Sequence, residues 1–258
     1  MSGLFDLSGS VAVVTGGAGL IGSSLCEALA DYGATVVLVD VDEAAAEDVA
    51  DSIDGEVSVK IVDTTSQSAV EALFEDIVDS YGSVDTLVNS AYPRNENYGQ
   101  RYEDVSVADW EENIALNLNS YYLTCHTATT VMKQQESGGS IINLGSIYGV
   151  QAPDFDVYDG TDLTSPVEYA AIKGAILNFT RYLASYLGDD GIRANVLSPG
   201  GVFADQDPQF VAQYESKTPL SRMAAPEDFK GAIVYLASDS AGYLTGQNLV
   251  VDGGWTIK

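Results

Sequence analysis

Ser10-Val-Ala-Val-Val-Thr15-Gly16-Gly-Ala-Gly19-Leu20-Ile21-Gly22 is the stretch that decides how this chain folds. Its first half is a continuous apolar run, the pattern of a strand buried on both faces. Gly16, Gly19 and Gly22 then stand three apart and open a helical stretch that reaches Tyr32. Glycines at such a junction permit a tight turn and let the backbone approach a ligand. The helix N-terminus adds free N–H groups and the positive end of its dipole, which suits a pyrophosphate. A glycine-rich turn alone is only a turn; the strand before it and the helix after it make it a candidate phosphate cradle.

Working outward, the same alternation repeats. Further strands are expected at Ala34–Asp40, Val57–Val62, Val84–Asn89, Ser140–Leu144, Ile192–Leu197 and Asn248–Asp252. Between them, Ser66–Tyr81 carries apolar residues at Val70, Leu73, Phe74, Ile77 and Val78, the spacing of one helix face. Helices are also expected after Asp40, over Val107–Gln135 (ended by Gly138-Gly139), from Pro166 to Leu187 and from Pro226 to Ser238. Repeated β-α-β units predict an α/β chain: one domain over residues 1–258, a Rossmann-type, doubly wound, seven-stranded parallel sheet with helices on both faces. Ligands in such sheets bind beyond the carboxyl ends of the strands, where the strand order reverses.

Composition narrows the function. Thirty-eight acidic residues face 11 basic ones, a formal net charge of −27. Such a surface repels nucleic acid and anionic membranes and disfavours docking onto an acidic carrier protein. The carboxylates are spread along the chain, as in proteins adapted to high salt, where a Debye length near ~3 Å at 1 M screens self-repulsion; an ordinary acidic protein is the competing reading. No apolar run approaches the roughly 18 residues of a membrane helix, and Met1-Ser-Gly-Leu-Phe-Asp6 lacks a basic leader start, so a cytoplasmic protein is expected. Cys26, Cys125 and His126 are too few and too scattered for a metal site, and two buried thiols are expected.

Asp40 closes the second strand eighteen residues after Gly22, close to the place of the acid that hydrogen-bonds the adenosine ribose 2′-hydroxyl. A carboxylate there repels the 2′-phosphate of NADP, and no Lys or Arg precedes Lys60, so NAD is expected and NADP disfavoured. A solvated turn aspartate is the alternative. Tyr169-Ala-Ala-Ile-Lys173 places a phenol and an ammonium on one helix face. A tyrosine titrates near ~10 and is a poor base at neutral pH; a close cation lowers that value by favouring the phenolate. Alone, the pair could equally be a surface contact.

It does not stand alone. The glycine turn, Asp40, Asp63-Thr64, Asn89-Ser-Ala91, Asn117, Gly145-Ser146, Tyr169/Lys173, Asn195, Ser198-Pro-Gly-Gly201 and Gly246-Gln-Asn-Leu-Val-Val-Asp-Gly-Gly254 follow one another over most of the chain. This set resembles the classical branch of the short-chain dehydrogenase/reductase family. The resemblance implies an oxidoreductase interconverting a secondary alcohol and a ketone, with Tyr169 as general acid/base. Lys173 would tune that tyrosine and hold the nicotinamide ribose. Ser146 would hold the substrate oxygen, and Asn117 a water leading to solvent. Gly16, Gly19, Leu20, Ile21 and Gly22 would meet the pyrophosphate and Asp63 and Thr64 the adenine side. Asn89 and Ala91 would line the channel, and Pro199, Gly200 and Val202 would lie along the nicotinamide. It also implies a homotetramer, or a homodimer, with no nucleic-acid or membrane partner.

Three departures matter. Leu20 stands where the classical branch has glycine, Tyr92 follows Ala91 where a glycine is usual, and the Ser146-to-Tyr169 segment is long and polar. The segment is expected to form an enlarged lid over the substrate at about 147–166; a solvated loop is the alternative. As a set, Ala91-Tyr-Pro-Arg-Asn-Glu-Asn-Tyr-Gly99, Ser146-Ile-Tyr-Gly-Val-Gln-Ala-Pro153, Tyr158-Asp-Gly-Thr161 and Pro166-Val-Glu-Tyr169 resemble flagellin-modification oxidoreductases of nonulosonic-acid (legionaminic-acid) sugar pathways. That implies a sugar phosphate or nucleotide sugar as substrate. Tyr92, Tyr148 and Tyr158 would then meet the substrate, and Arg94, with Arg101 second, its phosphate; a surface ion pair is the alternative for Arg94. A polyol or simple-sugar dehydrogenase, a 3-oxoacyl-type ketoreductase and a non-catalytic NAD sensor remain as alternatives.

Overall fold

In the computed structural model, which describes residues 3–258, seven strands form one parallel sheet. They are β1 (Val11–Thr15), β2 (Thr35–Asp40), β3 (Val57–Ile61), β4 (Thr86–Asn89), β5 (Gly139–Leu144), β6 (Ile192–Pro199) and β7 (Asn248–Val251), in the spatial order β3-β2-β1-β4-β5-β6-β7. Every pairing is parallel; Val13 of β1, for example, pairs with Val37 of β2 on one side and Leu87 of β4 on the other. The helices are α1 (Leu20–Asp31), α2 (Glu43–Ser52), α3 (Gln67–Tyr81), α4 (Val107–Met132), α5 (Ile147–Val150), α6 (Val167–Leu187), α7 (Pro208–Lys217) and α8 (Lys230–Ala237).

The apolar run of β1 serves two cores at once. Ala12 and Val14 face one layer, where Leu25 and Leu29 of α1 and Ile233 and Leu236 of α8 pack. Val11 and Val13 face the other, against Phe74 and Ile77 of α3, Cys125 and Met132 of α4 and Leu187 of α6. Side chains along a strand alternate between faces, so a sheet covered on both sides needs apolar residues at every position. Each fully buried side chain of this size contributes roughly 1.5–3 kcal/mol. Both cysteines are buried free thiols, and burial pushes both upward, Cys125 to about 12. Among the described residues no helix is long and apolar enough to cross a membrane, and no His/Cys/Asp/Glu group is placed to hold a metal ion.

The seven-stranded parallel sheet and its helices on both faces match the expectation; several boundaries do not. The fourth helix stops at Met132, short of Gln135. The Gln135 side chain instead accepts from Val84 N at 2.9 Å and donates to Val84 O and Gly138 O at 3.1 Å, bracing the entry into the sheet. Pro166 is the N-cap of α6 and lies before its first turn. The stretch from Pro226 opens as a 3-10 turn, Pro226–Phe229, because Asp228 turns back to accept from Ala225 N at 2.8 Å. The helix over Pro208–Lys217 had no counterpart in the sequence reading.

Candidate active site

The strand order reverses between β1 and β4, and a groove of about 650 Å3 opens there at the carboxyl ends of the strands. Gly16, Gly19, Leu20, Ile21 and Gly22 line one wall, Asp40, Asp63 and Thr64 one end, and Ala91 and Arg94 the opposite side. The glycines are required by space. Gly16 has φ +66°, and a Cβ there would lie 2.7 Å from Ala91 Cα; a Cβ on Gly22 would overlap the Gly16 carbonyl oxygen. No side chain caps α1 at Gly19, so its first-turn N–H groups keep their capacity for a ligand. This cradle, which any side chain would fill, fits the pyrophosphate of a dinucleotide.

Asp40 fastens the cradle as well as closing it. One carboxylate oxygen accepts from Ala18 N at 3.0 Å; the other accepts from Val41 N at 2.8 Å and Asp42 N at 3.3 Å. Asp63 accepts from Thr65 N and Oγ1 at 2.9 and 2.7 Å, shaping the turn after Val62. The Thr64 hydroxyl lies 2.7 Å from that of Ser120. Asn89 departs from expectation. It is buried in the core, donating to Asn143 Oδ1 at 2.9 Å and accepting from Thr124 Oγ1 at 2.8 Å, and Ser90 takes its place on the groove wall.

A second cavity of about 290 Å3 adjoins the groove through Ile21, Ser90 and Tyr92. Ser146, Tyr169 and Lys173 meet on its wall, with Pro199, Gly200 and Val202 opposite. Ser146 caps α5, accepting from Tyr148 N at 3.1 Å. Lys173 is buried and donates to the Leu144 carbonyl at 2.8 Å. Its ammonium lies 5.0, 5.6 and 5.8 Å from the ring centroids of Tyr92, Tyr121 and Tyr169. Burial lowers Lys173 to about 7. Burial also raises Tyr169, opposed by the Ser146 hydroxyl. Desolvation therefore outweighs the expected pull of the ammonium on the phenol, and drives both groups toward their neutral forms. Asn117 stands back from the cavity in α4; its amide donates to Pro93 O at 2.7 Å and Asn113 O at 3.0 Å, and its Oδ1 has no protein partner.

The family model described as Enoyl-(Acyl carrier protein) reductase matches residues 16–256, nearly the whole chain. The chain belongs to the short-chain dehydrogenase/reductase family of oxidoreductases. It is 32% identical to post-translational flagellin modification protein A of Campylobacter coli, over 97% of this chain and 100% of that one. It is also 32% identical to D-threitol dehydrogenase of Mycolicibacterium smegmatis, over 98% and 95%. Among solved structures, a short-chain dehydrogenase from Leptospira borgpetersenii with bound NAD+ superposes with a TM-score of 0.87, at 33% identity, covering 99% of this chain and 96% of that one.

In this short-chain dehydrogenase/reductase the far wall of the cavity is aromatic. Tyr148 and Tyr158 hydroxyls stand 3.1 Å apart; Tyr158 stacks on Phe210 at 5.2 Å, and Tyr214 on Trp255 at 4.2 Å. Residues 147–166 fold as α5 and a 3-10 turn, Phe155–Tyr158, and are fastened to α7. Lys217 pairs with Asp154 at 2.5 Å and Asp156 at 3.3 Å, while Gln209 and Gln213 both donate to Asp159 O, at 2.9 and 3.0 Å. Sequence reading missed α7 and with it Phe210 and Tyr214. Asp207 as N-cap, Pro208 in the first turn and the i, i+4 aromatics were the available signal.

Of the two arginines expected to meet a substrate phosphate, Arg94 lines the cofactor groove and Arg101 does not. Arg94 is exposed, lies over the Tyr98 ring at 5.8 Å and lines the groove instead of the aromatic cavity. Arg101 is exposed ahead of a 3-10 turn and lines neither. Among the described residues Lys173 is the one cation on the cavity wall. Asn195, part of the family pattern, is structural: it donates to Leu244 O at 2.8 Å and accepts from Gln247 N at 3.1 Å.

Proposed function

We propose that the chain is an NAD(H)-dependent oxidoreductase that interconverts a secondary alcohol and a ketone on a sugar-derived substrate, a sugar phosphate or nucleotide sugar. The observation that carries this reading is the convergence of Ser146, Tyr169 and Lys173 on a cavity that continues into the glycine-lined groove ending at Asp40. The bound NAD+ of the Leptospira relative and the Asp40 carboxylate support NAD over NADP. The flagellin-modification and threitol-dehydrogenase relatives support a hydroxyl-rich substrate.

Gly16, Gly19, Gly22 and Asp40 would hold a nicotinamide dinucleotide in the groove, and hydride transfer is the chemistry it would supply. The chain supplies the rest. Ser146 Oγ holds the substrate oxygen, and the Tyr169 hydroxyl gives that oxygen a proton in reduction or takes it in oxidation. Lys173 in its charged form stabilises the phenolate that oxidation needs. Asn117, whose Oδ1 has no partner among the described residues, is assigned to hold a water on the path of that proton to solvent. Ile147, Phe210 and Tyr214 exclude bulk water from the reacting carbon. Arg94, across β1 from Asp40 on the groove wall, is the residue we assign to an anionic end of the substrate.

One observation favours a second reading, a polyol or simple-sugar dehydrogenase: the cavity offers no cation besides Lys173 to a phosphate. A carrier-borne acyl substrate is disfavoured by the −27 charge. We further assign the protein to a salt-rich cytoplasm and to a homotetramer or homodimer. The deciding experiment is Tyr169→Phe, assayed with sugar phosphates, nucleotide sugars and polyols in high salt. Turnover is expected to fall by roughly 10²–10⁴-fold with NAD affinity retained. A variant that turns over as well as the wild type overturns the assignment of Tyr169.

A further inference from the structure

Lys173 is a cation without a counter-ion. From its own helix it meets Tyr169, from α4 Tyr121, from β5 the Leu144 carbonyl, and from the loop after β4 Tyr92. Across the cavity stand the phenols of Tyr148, Tyr158 and Tyr214, all raised by burial and so neutral. Among the described residues no carboxylate lies within ion-pair distance of it. Glu168, its neighbour in sequence, is buried but engages Asn113 of α4 at 3.3 Å.

The nearest ring is that of Tyr92, and it is held in place from several directions. Its edge meets Tyr169 with centroids 5.4 Å apart and planes at 68°. Its hydroxyl donates to Tyr98 at 3.1 Å. The next residue, Pro93, accepts from Asn117, and Asn95 exchanges two hydrogen bonds with Asn113 at 3.0 and 3.1 Å. Burial and Tyr98 raise the Tyr92 phenol, so the ring presents a neutral π-face.

We propose that Tyr92 is a positioning residue that holds Lys173 in its charged form, its ring face standing in for the carboxylate that the site lacks. An ammonium within about 6 Å of a desolvated ring is attracted by the ring's quadrupole. The attraction acts on the charged form alone, so it opposes the desolvation that otherwise strips the proton. Tyr169 cannot take this role, since it is the group whose proton moves. The proposal rests on the reading that charged Lys173 supports the Tyr169 phenolate.

The test is a direct titration of Lys173 in the cofactor-free chain. The sequence holds six lysines, so isotope-labelled lysine gives few NMR signals, and Lys173→Met assigns the relevant one. Tyr92→Phe keeps the ring, and its Lys173 midpoint should stay within about 0.3 pH unit of the wild type. Pentafluorophenylalanine in place of Tyr92 keeps the shape and reverses the quadrupole; its midpoint should fall by about one pH unit, with 4-fluorophenylalanine between. A series in which the midpoint stays flat or rises overturns the proposal. A purely packing role predicts a rise in the smaller Tyr92→Leu variant as water reaches the amine, the opposite direction. Failure here leaves the Tyr169→Phe result untouched, and the two readings are separated by that variant's turnover.

Discussion

Replacing Asp40 by Asn removes one negative charge from the end of the groove while keeping the shape of the side chain. The structure sets what this can change. The carboxylate already accepts three backbone N–H bonds, from Ala18, Val41 and Asp42. An amide oxygen can keep two of them, and the amide nitrogen then faces one N–H unpaired, a loss of about 1 kcal/mol in stability. The effect on cofactor choice is larger. A 2′-phosphate carrying about −1.5 to −2 charges within about 4 Å of the carboxylate is repelled by ~1–4 kcal/mol per unit charge, depending on the local dielectric. Asp40 is half-buried at an open groove, so the lower part of that range applies, about 2–3 kcal/mol in all. That corresponds to roughly 30–200-fold. The assay is kcat/KM for NAD and NADP in wild type and Asp40→Asn, at about 0.1 M and about 2 M KCl. The wild type should prefer NAD by about two orders of magnitude, and the variant should lose most of that preference through a lower KM for NADP. High salt should compress the wild-type preference, because the repulsion is screened. A folded variant with an unchanged ratio, or a wild type equally active with both cofactors, refutes the reasoning.

Other outcomes follow from the same physics. Burial lowers Lys173 to about 7 against an ordinary value near ~10.4, so between these values the unfolded chain holds a proton that the folded chain sheds. The unfolded state then binds more protons, and this group's contribution to stability rises with pH from about 7 to about 10; urea midpoints at pH 7 and pH 9 should show the rise in wild type and a flatter response in Lys173→Met. Lys217→Met severs two partly exposed ion pairs and should change global stability by no more than about 1 kcal/mol; KM should rise several-fold and residues 154–159 should become easier to proteolyse, and an unchanged KM refutes a role in substrate retention. With a net charge of −27, the thermal midpoint should climb steadily with KCl up to molar concentrations, and a midpoint independent of salt refutes a self-repelling surface.

The sheet was legible because doubly covered strands are mostly apolar: β1 and β2 read as nearly unbroken apolar runs between glycine or acidic turns. Gly16, Gly22, Asp40, Tyr169 and Lys173 were legible for a similar reason, since each meets a constraint that few residue types satisfy. Asn89 was misplaced because family order along the chain does not say whether a side chain turns into the core or into the groove. Asn89 is consumed by buried hydrogen bonds. Helix α7 escaped because its ten residues bury only Phe210 and Tyr214, too narrow a stripe to show a period. The depressed Lys173 and raised Tyr169 were invisible in sequence, because desolvation depends on what surrounds a side chain in space.

The fastening of residues 154–159 to α7 reaches beyond the resting structure. Lys217, Gln209 and Gln213 rivet the two segments at three points, so neither can swing outward alone. The two segments therefore act as a single plate against the aromatic cavity. Tyr214 ties that plate to Gly201 through a 2.6 Å hydrogen bond, close to where the nicotinamide is proposed to lie. Whatever moves α7 is therefore felt at Gly201, just beyond the end of β6 on the cavity wall, so the roof and the floor of the site are one mechanical unit.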